Sequence, residues 1–180
     1  MFYEAFQDAQ KSTQIEPSEK AYFRMARASY EMRRFNDAVE YFHKCLELNQ
    51  SNCRAKDELK RSEERLRESL TGEYDFKSLV EQVKAGKLRL DAADFVSSDI
   101  RITEVSGKGK GLVANKAIKR GTLLIACKAE SIFYDSEIKD VLFSMNLYTR
   151  QLELTSCIQN ISNLLLKVQH DPYLSKKVVF

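Results

Sequence analysis

Through the first 70 residues apolar positions recur every three or four places, the period of an amphipathic helix. A first segment over about 2–14 fits a helix ending before Pro17. Ser18 then suits an N-cap, and Tyr22, Met25, Ala26 and Ser29 follow at i, i+3, i+4 and i+7. After a short turn at Arg33-Arg34, Phe35, Ala38, Phe42, Cys45 and Leu46 define the face of the next helix. That helix stops in the turn chemistry of Asn49-Gln50-Ser51-Asn52. A third helix over about 53–70 carries Ala55, Leu59, Ser62, Leu66 and Leu70 on one face. Its outer side is densely charged, with Asp57/Arg61 and Glu63/Arg67 in the favourable i, i+4 order, and it reads as a solvating cap. A shorter helix over about 75–85 turns Phe76, Leu79, Val80 and Val83 inward and closes at Gly86.

The backbone style then changes. Residues 1–70 hold no glycine, whereas four of the six glycines fall between Gly107 and Gly121. Residues 100–105 alternate and are rich in β-branched side chains, which predicts a strand. A second apolar run spans Leu112 to Ile118, a turn follows at Lys119-Arg120-Gly121-Thr122, and Leu123 to Cys127 reads as a buried strand. Beyond residue 130 the pattern is helical again: Ile138, Val141, Leu142 and Met145 share one face, and Ile158, Ile161, Leu164, Leu165 and Val168 another. The expected fold is α+β. Helical hairpins fill 1–72, a connecting helix and linker 73–97, a small antiparallel β portion 98–130, and a helical tail 131–180.

Composition narrows the function classes. The chain carries 29 basic and 26 acidic side chains, a net charge of +3, which gives no footprint for nucleic acid. No apolar run approaches the ~18 residues of a membrane span, and the polar N-terminus does not suit a secretion signal. Asn160-Ile161-Ser162 matches a glycosylation acceptor but reads as chance without such a signal. Cys45, Cys53, Cys127 and Cys157 are unevenly spaced and form no CxxC, so reduced and mostly buried thiols in an intracellular protein, cytoplasmic or nuclear, are expected. No metal motif and no nucleophile–base set stands out. His43 lies on a helix beside Phe42, and His170 suits a helix end. Tyr134 and Tyr148 are surface or core aromatics. No catalytic or metal-binding residue is assigned.

Residues 19–52 form a unit 34 residues long, the period of the tetratricopeptide (TPR) repeat. Tyr22, Met25 and Ala26 resemble that family's aromatic, large and small positions, and Phe35, Ala38, Phe42 and Cys45 its second helix. Ser29 departs from a usual aromatic, and Gln50 from the usual closing proline. The resemblance implies a protein or peptide partner. Residues 1–17 resemble the tail of a preceding repeat. Since roughly three repeats make a stable array, the helices are expected either to follow earlier ones or to lean on the β portion.

The turn Ser106-Gly107-Lys108-Gly109-Lys110-Gly111-Leu112 admits several readings by spacing: a phosphate loop, a kinase-like loop, or a flexible hairpin with solvated lysines. The phosphate-loop spacing GxxxxGK[ST] is absent, and the third glycine comes one residue early for GxGxxG. The wider stretch, Gly107 to Ala114 and then Gly121-Thr-Leu-Leu-Ile, resembles the opening of the SET domain. That family implies a protein-lysine methyltransferase using S-adenosylmethionine. By resemblance Lys108, Gly109 and Lys110 would contact the cofactor, while Gly111 and Leu112 would shape the turn and anchor it to the core. The family's later Asn-His motif and closing tyrosine are absent, so the chain is expected to be the N-terminal part of such an enzyme and inactive by itself, with 131–180 resembling the start of the family's helical insert. The alternative is an interaction module without enzymatic activity.

Overall fold

The computed structural model describes residues 2–139 and 143–178. Four helices open the chain: α1 (Phe2–Ile15), α2 (Glu19–Glu31), α3 (Phe35–Leu48) and α4 (Cys53–Thr71). Each packs on the next in sequence. Their ends obey local chemistry. Ser18 Oγ accepts from the Ala21 N–H and Asn52 Oδ1 from the Ala55 N–H, each satisfying an orphan donor of a first turn. The α2–α3 turn needs one left-handed residue, Arg33, at φ 60°.

The core follows the apolar period except at its end: Leu70 is 71% exposed, and Tyr22, Leu46, Leu59 and Leu66 are only partly buried. Met25, Ala26, Ser29, Phe35, Ala38, Phe42, Cys45, Ala55 and Ser62 are buried. Small residues let α2, α3 and α4 approach, and rings fill the remaining gaps. Phe23 meets Phe42 edge-on at 5.6 Å, and Tyr30 meets Phe35 at 5.4 Å.

The outer side of α4 is solvated at Lys56, Asp57, Lys60, Glu63, Glu64 and Arg67, as a cap requires, but not all of its charges face water. Arg61 leaves Asp57 and reaches Glu58 and Asp91; Arg65 and the buried Glu68 also turn toward residues 91–93. The partners at 91–93 lie 25 or more residues away in the chain, so local spacing does not reveal them. Helix α5 (Phe76–Lys84) forms as expected, but its apolar stripe is not inward. Phe76, Val80 and Val83 are each more than half exposed, because no described element packs broadly against that face.

The β portion differs in detail from the three strands expected. Strand β2 (Ile100–Val105) pairs with β3 (Gly109–Ala114), an earlier start than Leu112. The tight turn sets Gly109 opposite Val105. The ladder ends where the Asn115 N–H bonds the Asp99 carbonyl and the Asn115 amide the Ser98 carbonyl. The run at 123–127 supplies only β4 (Ile125–Ala126), which pairs with β1 (Phe95–Val96) in a separate ladder. Ile125 is 41% exposed, so this is not a buried strand.

In the tail, a 3₁₀ turn at Asp135–Glu137 precedes β5 (Phe143–Met145) and β6 (Leu152–Leu154), which form a hairpin where helix was expected. Asn146 Oδ1 accepts the N–H groups of Tyr148 and Thr149, and Arg150 adopts φ 55°; this turn chemistry overrides the helical spacing of Ile138 and Met145. Val141 and Leu142 lie outside the described residues. Helices α6 (Thr155–His170) and α7 (Pro172–Val178) complete the helical tail. Of the cysteines only Cys45 is buried, while Cys53, Cys127 and Cys157 are exposed and free, correcting the expectation of mostly buried thiols. Among the described residues no helix is long and apolar enough to cross a membrane.

Candidate functional site

The glycine-rich stretch is a β-hairpin. Its loop is closed by the Lys108 N–H donating to the Val105 carbonyl at 2.9 Å. Gly107 and Gly109 take φ 71° and 74°, a region that side chains rarely adopt, and a Cβ at either would meet nothing within 4 Å. The glycines are therefore required by the turn, and the space above them is open. Gly111 is different: a Cβ there would stand 2.9 Å from Val105 Cγ2, so its bareness lets Val105 lie across the strand.

Strand alternation divides the sequence-predicted residues. Lys110 and Leu112 face the same way as Glu104 and Ile102, whereas Gly109 and Gly111 face the other way with Val105 and Thr103. Lys108 and Lys110 are exposed. Leu112 is 52% exposed and sits opposite an Ile102 that is 71% exposed, so it does not reach the buried core. The structure thus brings Lys108 to Leu112 together along one hairpin, but presents them on two faces.

A cleft of about 710 Å³ lies elsewhere, between α1 and α2. Small residues line it (Ala5, Ala9, Ala21 and Ala28), and Lys20 and Arg24 stand beside them. His43 is exposed, and His170 ends α6 with Nδ1 3.5 Å from a Glu4 oxygen. Tyr134 donates to the Leu88 carbonyl at 2.6 Å, and Tyr148 is fully exposed at a hairpin tip. Among the described residues no group of three or more His, Cys, Asp or Glu side chains is arranged to hold a metal ion.

One constellation escaped the sequence reading. Asp91 sits against α2 and α4, its carboxylate hydrogen-bonded by Tyr30 and by Arg61. Burial works to raise the Asp91 pKa, but the Arg61 and Tyr30 hydrogen bonds and the charges of Arg61 and Arg65 outweigh it, so the carboxyl lies below its ordinary value. The Tyr30 phenol is pushed well above its ordinary range, by burial first and then by Asp91. Sequence holds a faint sign of this site: a pair of aspartates three apart in a linker.

The tetratricopeptide repeat family matches residues 19–52, so the chain carries a TPR unit. A protein named methyltransferase from Gibberella zeae is 34% identical over 176 residues, covering 96% of this chain and 24% of that protein. The chain spans about a quarter of the length of this relative. No solved structure matches the chain significantly.

The hairpin fits one wall of a cofactor site and no more. Open space over two left-handed glycines suits close approach of a ligand to the main chain, and the exposed lysines suit a carboxylate. Leu112 and Ile102 stay open to solvent, so the described residues do not enclose this wall.

Proposed function

We propose that this chain is the helical-repeat and opening-hairpin part of a SET-type protein-lysine methyltransferase that uses S-adenosylmethionine. The observation that carries the reading is the similarity along nearly the whole chain to a protein named methyltransferase, together with the Gly107–Leu112 hairpin. The cofactor, when bound, supplies a methyl group on a sulfonium for transfer to a lysine amine. Toward it, Lys108, Gly109 and Lys110 would offer main-chain amides and cationic side chains, while Gly111 and Val105 would keep the strand shape. The motif that would complete the channel, Asn-His with a later tyrosine, is not in these 180 residues.

Two measurements test this. Isothermal titration of the 180-residue protein with S-adenosylmethionine is expected to show weak or absent binding. Robust transfer of methyl groups to protein lysines by these residues would contradict the proposal that they hold only part of the site. The gene is the second test: downstream of residue 180 it is expected to encode an Asn-His motif, a tyrosine and a cysteine cluster, and a reading frame without them overturns the assignment.

The TPR unit favours a second role, capture of a protein or peptide partner. A single complete repeat offers little concave surface, so the surrounding helices must contribute. Reversing the exposed charges of Lys20 and Arg24 leaves the core untouched and is expected to abolish partner capture in a pull-down; unchanged capture removes this surface from consideration.

A further inference from the structure

The linker before β1 is held like a bound peptide. Tyr30 Oη donates to both Asp91 carboxylate oxygens, at 2.9 and 2.8 Å, and Arg61 Nε donates at 2.6 Å. Arg65 donates to the Asp91 carbonyl at 2.5 Å, and Arg33 reaches the Asp94 carboxylate at 2.7 Å. The main chain between the two aspartates is gripped as well. Glu68 accepts the Ala93 N–H at 2.9 Å, and Tyr74 donates to the Ala93 carbonyl at 2.8 Å. Carboxylates met by arginines, with backbone groups met by side chains, is how an extended peptide is recognised.

The receptor is a seam lined by side chains of α2, of the turn after it and of α4. Arg54 stacks over Phe23 at 5.2 Å, Arg27 pairs with Glu58 at 2.7 Å, and Arg61 stacks over Tyr30 at 4.4 Å. We propose that this seam is a binding site for an extended acidic segment with two aspartates three residues apart, and that residues 91–94 occupy it in cis as an autoinhibitory strap. The proposal rests on reading the TPR helices as a protein-interaction module.

The charge balance supports it. With the strap lifted, Arg61 keeps, among the described residues, its stacking on Tyr30 and one carboxylate, Glu58 at 3.3 Å, which Arg27 already holds more closely. Among the described residues the carboxylate left to Arg33 is the exposed Glu130 at 3.4 Å. Both arginines are part-buried, so a second acidic segment is the occupant that restores the balance. Lifting the strap also reaches the β portion, because Asp94 accepts the Lys128 N–H at 2.6 Å just after β4, and the Phe95 ring packs over Gly72 at the end of α4. An acidic partner that displaces residues 91–94 would therefore free the β1–β4 ladder from the helices.

The test uses the whole 180-residue chain with Asp91→Ala and Asp94→Ala, and a fluorescein-labelled peptide of residues 88–97 followed by polarisation. The double variant is expected to bind the peptide roughly tenfold or more tightly than the unaltered protein, whose site is competent only while the strap is lifted. Adding Arg61→Ala is expected to abolish binding, and a peptide with both aspartates changed to asparagine is expected not to bind. Equal binding to both proteins, or binding to neither, overturns the proposal. Should the double variant lose its helical circular dichroism, Asp91→Asn, which keeps the side-chain shape, carries the same comparison. A peptide that binds neither protein while partner capture persists refutes the strap and leaves the interaction reading standing; lost capture on reversing Lys20 and Arg24 does not touch the strap.

Discussion

Individual side chains here often serve two masters. Tyr30 packs its ring edge-on against Phe35 and under Arg61, and spends its hydroxyl on Asp91. Tyr30→Phe keeps the packing and loses the hydrogen bond to a charged group, so urea denaturation is expected to show a loss of roughly 1–3 kcal/mol. Ser29 is the reverse case. It is fully buried, its hydroxyl has no hydrogen-bond partner among the described residues, and it stands where the TPR pattern usually has an aromatic. Ser29→Ala is expected to be neutral or to stabilise by up to about 1 kcal/mol in the same assay, since it removes an unpaired polar group. Gly72 ends α4 at φ 70°, and a Cβ there would stand 2.5 Å from the Phe95 ring. Gly72→Ala is expected to cost about 1 kcal/mol or more and to raise amide exchange at Phe95 and Val96, because strain and clash act together.

At the scale of elements, the helices were legible because their signals are local. Ser18 and Asn52 cap, Arg33 turns, and the apolar period places Phe42 and Cys45 at the centre. Thermal or urea unfolding of Ser18→Ala or Asn52→Ala is expected to show a loss of about 1 kcal/mol each, through the lost cap. The strands were less legible. A glycine-rich turn announces a hairpin, but its register depends on where the loop closes, and the run at 123–127 had no way to declare β1 as its partner. Two-residue ladders are set by distant chain, not by alternation. The same limit explains α5: its amphipathic stripe predicts a face, while the presence of anything to cover it is a matter of tertiary packing. In the tail, Asn146 and Arg150 carried the hairpin signal that the apolar spacing outweighed in reading.

Across the whole molecule, ionic straps hold the irregular segments to the helices. Beside Asp91 and Asp94, Arg89 forms a fork on Glu137 at 2.5 and 2.7 Å and stacks over Tyr134. Hydrogen bonds from Arg89 first, then from the Tyr134 N–H, hold the Glu137 carboxyl down to about 2. Its folded pKa is depressed, so its contribution is present above the ordinary glutamate value and fades as pH falls toward about 2. A carbon-detected NMR titration is expected to show Glu137 ionising near that value, with the contacts of residues 132–137 to Leu88 and Arg89 lost below it; an ordinary glutamate titration would dissolve this strap. The sequence by itself determined the four-helix start, the 34-residue repeat and the glycine hairpin, because caps, turns and a 3.6-residue period act between near neighbours. Only the tertiary structure decided that Arg61, Arg65 and Glu68 hold Asp91 and Ala93, that Leu112 stays open to solvent, and that the short ladders form where they do. The grip on Asp91 and Ala93 and the β1–β4 ladder join residues 25 or more positions apart, and no periodicity along a chain encodes which distant group will meet which.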